Sequence, residues 1–235
     1  MKAFKLLIDL YEVDDYMVCA TSAMRESENG KEIVEEVKED IGLKIQIIDG
    51  NLEAELINLA LWSYIDDKSY LHIDVGGGST ELNIYSKRQK VASKSFKIGS
   101  VRALEDKIPL SVWKSMNVFI EEHIGKKEII TSIGTGGNIS KIFELSIPRK
   151  NKTFIQIDKI KEIQEYLESF SYEDRINKLN LNPDRADVII PASKIYLAAM
   201  TAANSKKMIV PDVGLKDGLM QVLYKKNRKK MRFLE

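Results

Sequence analysis

Asp74-Val75-Gly76-Gly77-Gly78-Ser79-Thr80-Glu81 joins two short, mostly apolar runs, Tyr70 to Asp74 and Glu81 to Tyr85. Both runs have the length and β-branched content of strands. The first therefore ends in a carboxylate, at the carboxyl end of a strand, where open sheets bind their ligands. Three successive glycines let the backbone approach an anion closely and present several N–H groups to it. Ser79 and Thr80 add hydroxyl donors, and Asp74 has the hard oxygen chemistry that holds Mg²⁺ directly or through water. A second loop, Ile133-Gly134-Thr135-Gly136-Gly137-Asn138, follows another strand and carries no carboxylate. It suits anion contact through backbone donors. Two such loops at matching positions point to the handling of phosphate.

Around these loops the apolar pattern alternates between strand and helix. Tyr16 to Thr21 and Ile45 to Ile48 read as strands, with a helical face of Ile33, Val34, Val37 and Ile41 between them. Glu53 to Tyr64 reads as a helix with Leu56, Leu59, Ala60 and Tyr64 on one side. After the charged break Asp66-Asp67-Lys68 come three strands, ending at Val91 to Phe96. A helix follows from Val112 to Ile124, with Gly125 as its expected C-cap, then a strand from Glu128 to Ser132. A helix from Asp158 to Phe170, capped by Asp158, a small-residue helix from Ile189 to Ala203, a strand from Met208 to Val210 and a helix from Leu215 to Leu223 complete the chain. The expected fold is α/β, with a first domain over residues 1–68 and a second over 69–235. The second has the order of a ribonuclease-H-like domain, and the first has that order without its three opening strands.

The chain has 235 residues, 44% of them hydrophobic and 30% charged, with a formal net charge of +1. That is enough apolar material for a core, and too little net charge for a global pull toward nucleic acid or membrane. No segment approaches the ~20 apolar residues of a membrane span. The lone cysteine, Cys19, is expected in a strand interior and suits a reducing, cytoplasmic setting. The basic run Lys225 to Arg232 reads as a solvated helix end, and His72 as a core histidine or one supporting Asp74. Trp62, Trp113 and the methionines read as packing residues.

Asp74 to Leu82, Thr21-Ser22-Ala23-Met24-Arg25-Glu26, Ile48 to Ala54 and Gly134 to Gly137 resemble successive motifs of the Ppx/GppA phosphatases, within the actin/Hsp70/sugar-kinase superfamily. Ile98 to Arg102, Asp184 to Val188 and Val213 to Gly218 continue the likeness in the family's order. The resemblance implies hydrolysis of terminal phosphoanhydride bonds in inorganic polyphosphate or guanosine pentaphosphate (pppGpp), releasing orthophosphate with Mg²⁺. By position, Glu53 matches the glutamate that acts as general base on the attacking water. Arg25 matches a phosphate-binding arginine, for which a bidentate fork is the physical reason. Asp74 and Glu81 match acids near the metal and the water. Gly76, Gly77, Gly78, Ser79, Gly136 and Gly137 match backbone phosphate contacts. The family likeness also implies a homodimer, with no membrane and no specific nucleic acid as partner. Arg102 and Asp187 stand as candidates for structural ion pairs.

The family pattern opens with a strand, an Asp-x-Gly-Ser-Asn-Ser loop and two more strands before the helix at which this chain begins. Roughly 60 to 80 residues would make up that portion, from the usual lengths of three strands and most of a helix. Leu52 stands where the pattern has a second acid, and Glu55 where it has an arginine. These departures set a second expectation beside the hydrolase: a catalytically impaired binder of the same anions, or a piece of a longer protein.

Overall fold

The computed structural model describes residues 1–105, 107–125, 129–146 and 153–231. Helix α1 (Lys2–Leu10), strand β1 (Val18–Ala20), helices α2 (Ser22–Glu26) and α3 (Gly30–Ile41), strand β2 (Ile45–Ile47) and helix α4 (Gly50–Leu61) come first. Next are the antiparallel strands β3 (Ser69–Val75), β4 (Thr80–Ser86) and β5 (Gln89–Phe96), then helices α5 (Ser100–Leu104) and α6 (Leu110–His123). Strand β6 (Ile130–Thr135), helix α7 (Gly137–Ser146), strand β7 (Phe154–Gln156) and helices α8 (Ile157–Glu168), α9 (Tyr172–Asn177), α10 (Pro183–Ala186) and α11 (Ile189–Ala202) lead to strand β8 (Lys207–Ile209). Helix α12 (Leu215–Met231) closes the chain.

The residues group into two compact units: Met1–Trp62 with the described residues from Val213 onward, and Ser63–Asp212. Helix α12 thus joins the first unit, where the sequence reading kept the chain's end in the second. The reason is contact with α4 and the segment before β1. Gln221 donates to the Leu59 carbonyl at 3.1 Å, and Lys226 and Asn227 both reach Asp15 Oδ2 at 2.9 Å. Within the basic run Lys225 and Arg228 are exposed, and Lys226 and Asn227 are the residues held by Asp15. The run's last residue, Arg232, and the expected strand start at Glu128 lie outside the described residues.

In the first unit β1 and β2 pair in parallel, Val18 opposite Ile45 and Ala20 opposite Ile47. Cys19 is half-buried in β1. Helix α1 buries none of its side chains, leaving Phe4, Leu6, Leu7 and Leu10 exposed. Helix α4 starts three residues before the expected Glu53 because Asp49 caps it, accepting from the Leu52 amide at 2.8 Å. That cap puts Glu53 in the first turn.

In the second unit a six-stranded sheet has the order β5-β4-β3-β6-β8-β7. The three leading strands are antiparallel, β3, β6 and β8 are parallel, and β7 returns antiparallel at the edge. This is the ribonuclease-H-like order expected of the segment, with β7 as an addition. Strand β3 is buried on both faces, which is why its sequence is a continuous rather than alternating apolar run. Helix α11 buries Ile189, Ile190, Ala192, Ile195, Tyr196, Ala199 and Met200 in this core. Two capping expectations fail. Helix α6, ending at His123, has Ile124 rather than Gly125 as its C-cap, and α8 begins after Gln156, with Asp158 inside its first turn. Trp62, expected in packing, is 55% exposed, whereas Trp113 packs against the core.

Asp49→Ala removes the one side-chain acceptor that the start of α4 uses. The expected cost is about 1 kcal/mol, read as a lower urea midpoint together with faster hydrogen exchange at the Leu52 amide. Unchanged exchange there would show that the cap does not fix the first turn of α4.

Candidate functional site

In the first unit the short helix α2 follows β1 directly and carries Arg25 toward the start of α4. Arg25 Nη1 donates to the Ile48 carbonyl at 2.7 Å and lies 3.5 Å from Glu53 Oε2. The two side chains are 30% and 21% exposed, so both charges are partly withdrawn from water while staying reachable. Glu53 faces a guanidinium on one side and the positive end of a helix on the other. Leu52 is half-buried, and Glu55 is exposed. Two helical positions correspond to a turn of roughly 200° about the axis. Glu55 therefore points away from Glu53, and its negative charge does not crowd the carboxylate.

The second unit holds the glycine loops. The loop between β3 and β4 closes on itself, with the Gly76 amide donating to the Ser79 carbonyl at 2.9 Å. Its three glycine carbonyls all turn to the segment at the start of α5. Gly76 O accepts from the Ser100 amide at 2.9 Å, Gly77 O from the Val101 amide at 3.0 Å and Gly78 O from Arg102 Nε at 2.7 Å. In a trans peptide the N–H lies opposite the C=O. The amides of Gly77, Gly78 and Ser79 consequently point to the other side of the loop, away from α5. This is how a run of glycines becomes a set of directed donors. Gly99 makes the approach possible: a Cβ there would lie 2.2 Å from Gly77 O, so no side chain is admitted.

The hydroxyls serve the loop rather than extend from it. Thr80 is buried and donates to the Ile98 carbonyl, so it does not supply the anion donor expected of it. Ser79 Oγ donates to Glu81 Oε1 at 2.6 Å, and Ser95 Oγ reaches the same oxygen at 2.9 Å. Asp74 stands opposite Glu81 in the β3–β4 register and opposite Thr135 in the β3–β6 register. The parallel pairing brings the second loop to the same end of the sheet. There Gly136 has φ of 105°, a conformation only glycine adopts without strain, and Ser140 Oγ donates back to its carbonyl at 3.0 Å. Helix α7 starts at Gly137 with its amides at the loop. A Cβ on Gly137 would meet Arg185 Nη2 at 2.6 Å, which places that guanidinium against the second loop.

Beneath the loops a polar chain runs inward from exposed Ser93 to buried Asn83, His72 and Thr135. Ser93 donates to Asn83 Oδ1 at 2.7 Å, Asn83 Nδ2 meets His72 Nδ1 at 3.0 Å, and His72 Nε2 meets Thr135 Oγ1 at 2.8 Å. Asn83 offers an N–H, so His72 Nδ1 accepts and its proton sits on Nε2. Burial pushes the imidazole pKa down to about 3. His72 is thus a neutral core histidine that seats Thr135.

Arg25, Glu53, Asp74, Glu81 and both loops are the site residues expected from the sequence. The structure pairs Arg25 with Glu53 in the first unit and sets Asp74, Glu81, Gly76 to Ser79, Gly136 and Gly137 at one end of the sheet in the second. It adds Gly99, Arg102 and Arg185, of which Arg102 had been read as an ion-pair candidate. The motifs Ile98 to Arg102 and Asp184 to Val188 were the signals that carried them.

A profile of the Ppx/GppA phosphatase family matches residues 1–227. The chain belongs to that family. It is 24% identical over 225 residues to the guanosine-5'-triphosphate,3'-diphosphate pyrophosphatase of Photobacterium profundum, a match covering 90% of this chain and 45% of that protein. It is 21% identical over 228 residues to exopolyphosphatase 1 of Mycobacterium tuberculosis, covering 88% of this chain and 66% of the relative. The chain thus spans about half the length of the pyrophosphatases it matches. Its fold is that of an exopolyphosphatase from Cytophaga hutchinsonii, with a TM-score of 0.79 at 21% identity over 94% of this chain and 78% of the other. No helix among the described residues is long and apolar enough to cross a membrane.

The donor set bears on the metal that family membership implies. Among the described residues no group of three or more His, Cys, Asp or Glu could enclose an ion. Asp74, with Glu81 opposite it in the register, fits the other common arrangement, in which a hard divalent cation keeps its waters and takes one or two carboxylates together with substrate phosphates.

The buried His72 predicts a pH dependence of stability. Its folded pKa of about 3 lies below the ~6.5 of an unfolded histidine. Between those values the unfolded chain holds a proton that the folded chain does not. This contribution is complete above about pH 6.5 and is lost as pH falls toward 3. The urea midpoint should drop between pH 7 and pH 5, and His72→Gln should flatten that drop. An equal slope in the variant would show that His72 titrates freely in the fold.

Proposed function

We propose that this protein hydrolyses the terminal phosphoanhydride bond of inorganic polyphosphate or of guanosine pentaphosphate, releasing orthophosphate. The carrying observation is Glu53: a partly desolvated carboxylate in the first turn of α4, held 3.5 Å from the Arg25 guanidinium. Family membership and the names of the curated relatives support the same reading.

Glu53 takes a proton from water as the water oxygen attacks the terminal phosphorus. The bond from that phosphorus to the bridging oxygen breaks, and the shortened phosphate chain leaves with the electron pair. In the first unit Arg25 neutralises charge on the phosphoryl oxygens. In the second unit, taken by itself, the directed amides of Gly77, Gly78, Ser79 and Gly137 are donors suited to phosphate oxygens. Asp74, with Glu81 beside it, offers the carboxylate edge for a divalent cation. Bound there, Mg²⁺ would supply charge neutralisation on the phosphate oxygens. Both substrates present the same terminal group, so the chemistry of these residues serves either. The single half-buried Cys19 suits the cytoplasm.

Phosphate release from long-chain polyphosphate and from guanosine pentaphosphate, with Mg²⁺ and then with EDTA, tests the proposal. Metal-dependent release should fall about 10² to 10⁴-fold in Glu53→Gln, the usual range for loss of a general base. Arg25→Lys should not restore what Arg25→Ala loses, because an ammonium lacks the planar fork. No release from the folded wild-type protein, or release untouched by Glu53→Gln, would refute this assignment.

A further inference from the structure

Each glycine loop is entered from the last residue of a strand, Val75 of β3 for the first and Thr135 of β6 for the second. Tyr196, fully buried in α11, touches both. Its hydroxyl donates to the Thr135 carbonyl at 2.6 Å and accepts from the Val75 amide at 3.4 Å. The next residue, Gly136, is packed into the same spot. A Cβ there would lie 3.2 Å from Asp74 Oδ1 and 3.4 Å from Tyr196 Oη. Thr135 is held a second time by its own hydroxyl, which meets His72 Nε2 at 2.8 Å.

We infer that Tyr196 is a positioning residue that yokes the two glycine loops, fixing their spacing and so setting the protein's affinity for a chain of phosphates. The hydroxyl is bonded to the entrances of both loops. It binds Thr135 by the carbonyl, so it governs the peptide plane that leads into Gly136. Gly136, at φ of 105°, then determines where α7 and its first amides begin. At the other entrance the Val75 amide precedes the Gly76 turn that directs the first loop's donors. Burial, and after it the charge of Asp74, raise the Tyr196 phenol well above its usual pKa, so it keeps its proton to donate.

Removing the hydroxyl alone leaves the ring in the core and deprives both entrances of their shared partner. The inference rests on the reading of the loops as an anion site, so its test is binding rather than turnover. The 235-residue Glu53→Gln protein is titrated calorimetrically with inorganic tripolyphosphate, alone and with Tyr196→Phe added. The account expects the dissociation constant to rise about tenfold or more with Tyr196→Phe. A merely structural tyrosine would lower the melting temperature and leave affinity unchanged, which would overturn the inference. If neither protein binds tripolyphosphate, the anion-site reading fails and this inference with it. If Tyr196→Phe does not fold, hydrogen exchange in the Glu53→Gln protein decides. Saturating tripolyphosphate should slow exchange at the Val75 amide together with the amides of residues 77–79 and 136–138, and an unresponsive Val75 amide would contradict the yoke.

Discussion

The parallel pairing of β3 with β6, Asp74 opposite Thr135, is the constraint on which the second unit's site depends. A parallel register brings the carboxyl ends of both strands to the same edge of the sheet, so two loops far apart in sequence open side by side. Each loop is made directional by its neighbours acting together with its glycines. The first has its carbonyls drawn to Ser100, Val101 and Arg102, and its amides face the opposite way as a result. The second is shaped by the positive φ of Gly136 and by the bonds that hold Thr135 from both sides. Glycine permits these shapes; the neighbours impose them.

The first unit solves a different problem with a short helix and a cap. Asp49 begins α4 early enough for Glu53 to lie in the first turn, and β1 leads straight into the turn that carries Arg25. The Ile48 carbonyl, accepting from Arg25 Nη1, fixes the guanidinium before it meets Glu53. An ion pair this open to solvent contributes little to stability. Its value is geometric, in holding a carboxylate and a cation where each stays reachable.

Much of this was legible in the sequence because it is local. The strands on either side of the glycine run, the run itself and the Thr135-Gly136-Gly137 turn are each read from a few consecutive residues. Glu53 and Arg25 came from motif resemblance, which gave their identity but not their contact. What escaped the sequence is long-range. Tyr196 lies 121 positions from Val75, inside an apolar helix where its hydroxyl gives no periodic signal. The need for Gly99 arises from a loop more than twenty residues earlier in the chain. Strand β7 is three residues long with one buried side chain, too short for a pattern, and it exists because β8 offers an edge. The membership of α12 in the first unit depends likewise on contacts with α4 and Asp15 that no local pattern announces.

The central claim is that the loop amides bind phosphate. The most direct measurement is the shift of individual backbone amide resonances in the Glu53→Gln protein as inorganic tripolyphosphate is added. The account predicts that the amides of Gly77, Gly78, Ser79 and Gly137 move together along one saturable curve, while the amide of Gly42, at the end of α3, stays in place. Saturable binding that shifts only exposed lysine-rich segments and leaves the loop amides unmoved would contradict it.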